Sequence, residues 1–249
     1  MVKIKNRILS PTAINTYLSC PRKFYLRYFK RLKTRPSIHL IRGQIVHQTL
    51  ERFYKARQQI LTEKSEEGIQ KALLAIFKSL WNGAGDRLNA LGLNDEEICF
   101  YYTDSELMLC HFGSWFCKNN LPMPDLTETR IFSKNLSIMG IIDAVYENQD
   151  GTILVDYKTS KHVKITEDIK RQAAIYGLLY QDRYNKMPAA LWVHFLKDAH
   201  NPVPIHIDEV LLDYGKMLIQ SIREKTLSQD EVDYQCTCGG FCERDFVTS

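Results

Sequence analysis

No stretch of this 249-residue chain is apolar for long enough to cross a bilayer; the longest runs resemble "AALWVHFL". No apolar segment of signal-peptide length follows the basic opening "MVKIKNRILSPT", so a cytoplasmic, intracellular location with no membrane partner is expected. Repeats, low-complexity tracts and linker-like compositions are lacking. There is no G-x-x-x-x-G-K-[ST] loop, which excludes an evident nucleotide-driven motor; any motor has to come from a partner. Seven cysteines, an odd number without a secretion signal, argue against a disulfide framework. Finally, residues 1 to 50 contain no Asp or Glu.

That last absence polarises the chain. The same fifty residues hold eleven Lys and Arg, whereas the remainder carries a balance of −7, for a net charge of +4. A basic end on an acidic body suits a polyanion, most often nucleic acid, or else it is a solvated basic face. A hydrophobic content of 45% and a charged content of 25% are those of an ordinary globular chain. The length suits one domain, or one domain with an extra helical lobe.

Ser10 before Pro11 is a helix start, and a short helix runs to about Ser19. "RKFYLRYFKRLK" reads as a second helix, and residues 39–60 as a long amphipathic one. Helices are also predicted over 66–82 and 95–119, with a loop, "NGAGDRLNALGLND", between them. Strand patterns follow at 126–133, 137–147 and 152–158, then a helix at 165–182, strands at 190–197 and 203–207, and a helix at 208–226. This order makes an α/β fold, a sheet with helices packed on it and an N-terminal helical lobe. Cys99, Cys110 and Cys117 lie among apolar residues of a helix and are expected in the core.

The segment "GIIDAVYENQDGTILVDYKTS" is a hairpin of strand formers interrupted by Asp143, Asp156 and Lys158. Charges in a half-buried hairpin are costly unless paired or used. A two-residue turn at Asp150–Gly151, which the sequence favours, puts Asp143 opposite Lys158; a four-residue loop over 148–151 puts it opposite Asp156. Either register places the three groups on one face. Two adjacent carboxylates suit a hard cation such as Mg²⁺ or Mn²⁺, and a neighbouring ammonium suits phosphoryl chemistry. The bland alternative is a cross-strand Asp–Lys pair on a wet face.

An aspartate on one strand followed by D-x-K on the next resembles the PD-(D/E)XK nucleases. Three further motifs are similar to the RecB-like branch, which includes the nuclease domains of RecB and AddB and the CRISPR-associated exonucleases. "GQIVHQTLERFY" matches a helical G-x-x-x-H through Gly43 and His47; "RQAAIYGLLY" matches Q-x-x-x-Y through Gln172 and Tyr176; "LSPTAINTYLSCPRKFYLRY" matches the opening helices and their cysteine. The resemblance covers nearly the whole chain and implies a restriction-endonuclease-like core with a central mixed sheet. It further implies that Asp143, Asp156 and Lys158 are catalytic. His47, Asp143, Asp156 and the Tyr157 backbone carbonyl are implied ligands of Mg²⁺ or Mn²⁺, and Gln172 and Tyr176 position substrate. Glu51, one turn beyond His47, is a candidate to support the metal. Arg22, Lys23, Arg27, Lys30 and Arg31 are expected to guide DNA, while most of the interleaved aromatics are core.

The resemblance also extends to "CTCGGFC". In iron–sulphur members of the family one N-terminal cysteine joins three C-terminal ones around a [4Fe–4S] cluster, here Cys20 with Cys236, Cys238 and Cys242. The spacing C-x-C-x-x-x-C departs from the family's C-x-x-C, and structural Zn²⁺ is the alternative. The implied activity is a metal-dependent exonuclease on single-stranded DNA ends, in CRISPR adaptation or DNA repair and recombination, with a helicase or CRISPR adaptation proteins as partners. The rivals are a DNA-binding or assembly module on a nuclease fold with weak or no cleavage, and a zinc-stabilised protein with no nuclease activity. The implied organisation is a single nuclease domain over 1–249: a helical part with the DNA-guiding helix over 1–120, a catalytic sheet over 121–210, and a last helix with the cysteine segment over 211–249.

Overall fold

The architecture was obtained as a computed structural model that describes residues 7–56, 65–149, 151–199 and 201–247. Helices α1 (Pro11–Ser19) and α2 (Pro21–Tyr28) are separated at Cys20, whose extended backbone breaks the helical run where Pro21 begins the next. Ser10 accepts from the Ala13 N–H at 3.1 Å, the expected cap of α1. Helix α3 (Ile38–Lys55) is followed by α4 (Glu66–Gly83), the short α5 (Gly85–Asn89) and α6 (Asp95–Lys118). The expected end of α3 near residue 60 lies outside the described residues. The segment expected to be pure loop before α6 contains α5, a single turn too short to show periodicity. α2 stops at Tyr28, short of the predicted basic run.

Strands β1 (Leu126–Ser133), β2 (Ile138–Asn148) and β3 (Gly151–Lys158) form an antiparallel meander. Helix α7 (Glu167–Tyr184) crosses over to β4 (Ala190–Phe195), parallel to β3, and β5 (Val203–His206) closes the edge antiparallel. The order β1-β2-β3-β4-β5 is therefore a mixed sheet. Helix α8 (Glu209–Lys225) packs on α7, and a 3₁₀ turn (Glu231–Asp233) and α9 (Phe241–Arg244) follow.

The sheet separates two apolar cores. One joins Ile142, Leu154 and Val193 to Phe24 of α2, Tyr180 of α7 and Ile219 of α8. The other joins Ala144, Val155 and Tyr157 to Phe53, Phe77 and Phe112 of α3, α4 and α6. Two of the α2 aromatics are core, Phe24 and Tyr25, buried against Tyr234 of the C-terminal segment, while Tyr28 and the following Phe29 are half-buried at its margin. Cys99 is exposed and Cys110 and Cys117 are half-buried, contrary to the expected core positions. The buried stripe of α6 runs through Ser105, Met108, Leu109 and Phe112 instead.

The alternation along β2 slips at one place. Ile138 and Ile142 face the first core, but so does Val145, while Ala144 and Tyr146 face the second. The slip falls at Asp143. Opposite it on β1, between the pairs Thr127–Ala144 and Thr129–Ile142, Glu128 has φ of 44°. Left-handed backbone at a residue with a side chain is strained, and such strain clusters at functional sites.

Candidate active site

The β2–β3 register pairs Ala144 with Val155 and Asn148 with Gly151. Asp143 therefore comes next opposite Asp156, not opposite Lys158 as the Asp150–Gly151 turn predicts. Gly151 (φ 130°) already belongs to β3, paired with Asn148. The ladder ends at Ala144–Val155, and the Asp143 side chain takes over: its Oδ2 accepts from the Tyr157 N–H at 2.7 Å. Glu128, Asp143 and Asp156 thus stand in one row across three neighbouring strands.

Groups from both sheet faces close on this row. His47, on the inner side of α3, places Nδ1 at 3.3 Å from Asp143 Oδ1 and 3.8 Å from Glu128 Oε1. From the other face, Gln172 of α7 donates through Nε2 to Asp156 Oδ1 (2.7 Å) and accepts from Lys158 Nζ (2.8 Å). The same Nε2 donates to Tyr176 Oη at 2.8 Å, so Gln172 and Tyr176 act as one strut a helical turn long. Lys158 Nζ approaches Asp156 Oδ2 to 2.7 Å, yet this buried oxygen accepts no aligned hydrogen bond. Behind the row, Tyr157 Oη meets Tyr54 Oη at 2.5 Å within the second core, which fixes the peptide between Asp156 and Lys158.

Electrostatics follow from burial. Asp156 is 3% exposed, and desolvation raises its pKa against the opposing pull of Lys158, with Asp143 raising it further. Burial disfavours a charged His47, but Asp143 and Glu128 overcome this and hold its pKa well above the ordinary value. These are the responses of a crowded acidic site that takes up cationic charge. His47, Glu128 and Asp143 offer ligand atoms within 4.8 Å of one another. Together with the neighbouring Asp156 carboxylate they form an oxygen-rich set with one imidazole, which fits Mg²⁺ or Mn²⁺.

Glu128 was missed at the sequence level. Its signal was an acidic residue in the strand preceding the Asp143 strand, but the register that brings it opposite Asp143 is not visible in the pattern. Glu51 is drawn elsewhere: it pairs with Lys55 at 2.5 Å, one turn along the exposed side of α3. Arg42 was also missed. It is 4% exposed, donates to the Thr159 carbonyl at 2.9 Å and to Asp104 at 2.5 Å, and so secures the chain just beyond Lys158.

The five basic residues near α2 divide. Arg22 pairs with Glu231 and Glu243, Lys23 with Asp245, and Lys30 with Glu231, all on the C-terminal segment. Arg27 and Arg31 make no ion pair among the described residues, and Lys23 and Arg27 line a cavity of about 610 Å³ that reaches Lys158.

The same docking brings the four cysteines together. Cys20, Cys236, Cys238 and Cys242 place their sulphurs within 4.8 Å of one another, with Cys236 Sγ 3.6 Å from both Cys238 and Cys242. Burial works against a Cys20 thiolate, but backbone N–H groups of Thr237 and Lys23, with the neighbouring thiols, bring its pKa down to about 6. Four such donors suit a thiophilic metal.

A mixed sheet presenting adjacent carboxylates on β2 and β3, with a lysine at the end of β3, defines a nuclease-type core. The family model of the PD-(D/E)XK nuclease superfamily matches residues 8–240, and the chain belongs to that superfamily. Among solved structures, the crystal structure of a "putative exonuclease" from Eubacterium rectale superposes with a TM-score of 0.60. Its sequence is 10% identical, and the match covers 100% of this chain and 92% of that one. No curated protein matches the chain.

Proposed function

We propose that this protein is a divalent-metal-dependent deoxyribonuclease of the RecB-like branch, an exonuclease acting on single-stranded ends. The observation that carries the reading is the juxtaposition of Asp143 and Asp156 on neighbouring strands beside Lys158, whose ammonium lies 2.7 Å from Asp156 Oδ2. His47, Asp143, Asp156 and the Tyr157 backbone carbonyl hold Mg²⁺ or Mn²⁺, and Glu128 joins them. A cation there neutralises phosphate charge and acidifies water. Lys158 orients the attacking water and meets the charge that develops on the phosphate. Gln172 keeps Lys158 and Asp156 in register, with Tyr176 bracing it. Arg27 and Arg31 guide the DNA backbone, while Arg22, Lys23 and Lys30 meet it only where their ion pairs leave them room.

The four cysteines form a metal clamp between the chain's two ends, within one nuclease domain whose helical part, sheet and cysteine segment work as a unit. Zn–S bonds of about 2.3 Å put tetrahedral sulphurs about 3.8 Å apart, close to the 3.6 Å seen from Cys236. The spacing favours a single Zn²⁺ over the [4Fe–4S] cluster that the family resemblance implies. Metal and sulphide analysis of protein purified without oxygen separates the two. The cellular setting we assign is DNA repair and recombination or CRISPR adaptation in the cytoplasm, with a helicase or adaptation proteins as partners.

The test is cleavage of end-labelled single and double strands with Mg²⁺ and Mn²⁺. Wild-type protein is expected to shorten single strands from an end, and Asp156→Asn and Lys158→Met to abolish this while still binding DNA. Full metal-dependent cleavage by either variant refutes the assignment. Binding without cleavage by the wild type makes the protein a DNA-binding module.

A further inference from the structure

The cavity along α1 and α2 reaches Lys158, Gln172 and Tyr176. A second one, of about 750 Å³, extends from Asp143 and Asp156 toward α6. Lys158, Gln172 and Tyr176 line both, so the two cavities flank that strut, and Asp143 and Asp156 open into the second. Their walls differ in chemistry. The first is polar and basic, with Ser10, Asn15, Lys23 and Arg27. The lining of the second includes Phe100 and Tyr101 together with Lys161 and Lys197.

The two rings are held differently. Tyr101 is braced by His39, edge-on at 5.4 Å, and by the Arg42 guanidinium at 5.5 Å from its centroid. Phe100 touches Tyr101 edge to face, with centroids 5.3 Å apart at 79°. Its own ring is 62% exposed. A large aromatic left in water beside a cavity forgoes burial that a core position would supply. The exposure is compensated if a planar group covers the ring. Lys161 is exposed and makes no ion pair among the described residues, leaving a cation available in the same cavity.

We propose that Phe100 is a base-stacking subsite of the active-site groove, taking a nucleobase of the strand whose phosphate lies at Asp143 and Asp156, with Lys161 on the next phosphate. The inference rests on reading the groove as a nucleic-acid site. A base can present its face to Phe100 only when it is not stacked in a duplex, so this wall admits single strands or frayed ends and excludes intact double helix. Stacking tolerates any base, because every base has a π-face. The subsite therefore selects strandedness without selecting sequence.

The experiment compares full-length wild-type protein, Phe100→Ala and Phe100→Trp. The probe is a fluorescein-labelled thymidine oligonucleotide, intact or carrying one abasic site at each position in turn, with binding read by anisotropy without added divalent ion. Phe100 is exposed, so its replacement leaves the core intact. Phe100→Ala is expected to weaken binding of the intact strand roughly 5- to 150-fold, and Phe100→Trp to restore it. One abasic position is expected to weaken the wild type by a similar factor and to remove the difference between wild type and Phe100→Ala. Equal binding by wild type and Phe100→Ala overturns the inference, as does an equal loss at every abasic position. The outcomes separate from those for the nuclease reading. Cleavage with no dependence on Phe100 sinks the subsite alone; Phe100-dependent binding without cleavage under Mg²⁺ or Mn²⁺ sinks the nuclease and leaves the subsite.

Discussion

Replacing Asp104 by Asn removes the acid that two cations share. Its Oδ2 lies 2.5 Å from Arg42 Nη1 and its Oδ1 2.8 Å from Lys197 Nζ. The Arg42 side chain is only 5% exposed, that of Asp104 14% and that of Lys197 21%. Lys197 can turn toward water, but Arg42 cannot, and its Nε already lacks a partner. Breaking a buried pair from one side costs about 3–5 kcal/mol; the partial exposure of Asp104 and the freedom of Lys197 place this case near 3. For a chain of this size that is a fall in melting temperature of roughly 6–12 °C. Activity should fall as well, because Arg42 also holds the Thr159 carbonyl next to Lys158. A displacement of about 1 Å at a reacting group can cost on the order of 100-fold in kcat. Calorimetry and steady-state cleavage by Asp104→Asn provide the readings, with Lys197→Met as a milder control near 1 kcal/mol. A melting point within 2 °C of wild type, with kcat unchanged, would show that the buried charge does not depend on Asp104.

Three further outcomes are expected. A Cβ at Gly140 would sit 2.7 Å from Leu179 Cδ1 and 3.0 Å from Tyr176 Cε1, so Gly140→Ala should push Tyr176 and Gln172 off the row. Its kcat should fall more than its DNA affinity; an unchanged kcat refutes the strut. His47 and Asp156 both have raised pKa values. The stability linked to each is complete below its unfolded value, near 6.5 and 3.9 respectively, and is lost as pH rises through the folded one. Without added metal the protein should therefore lose stability as pH rises above neutrality, and stabilisation by Mn²⁺ should grow over the same range; thermal melts at pH 6 and pH 8.5 check both signs. Cys20→Ser should lower the metal content of the purified protein and make residues 231–247 sensitive to protease, whereas an unchanged metal content would remove Cys20 from the clamp.

Much of the fold was legible because the periodicities are clean. Ser10–Pro11 announced α1, and the hairpin strands stood out by their β-branched runs. Asp143, Asp156 and Lys158 were found because charges interrupt those runs, and His47 and Gln172 because resemblance marked them. What stayed hidden depends on contacts distant in sequence. Register decided that Asp143 faces Asp156, and a slip in alternation at Asp143, matched by the left-handed Glu128, completed the row. Arg42 looked like one more basic residue because its acid lies on α6. The basic residues of α2 looked free because their partners are some 200 residues away, as Lys23 and Asp245 illustrate. The short α5 and α9 hold too few turns to register a period.

The contact between α2 and the cysteine segment also sets a schedule for synthesis. A ribosome makes about 5–20 residues per second, so Cys236, Cys238 and Cys242 emerge on the order of 10–40 s after Cys20. During that interval α2 carries unpaired basic groups and an uncovered aromatic face, since Glu231, Tyr234, Glu243 and Asp245 have yet to be made. The strands bearing Asp143, Asp156 and Lys158, and the helix bearing Gln172, emerge well before the three later cysteines. The nascent chain thus holds every residue of the acidic row before Cys20 can meet Cys236, Cys238 and Cys242, so the cysteine cluster assembles after the site it lies beyond.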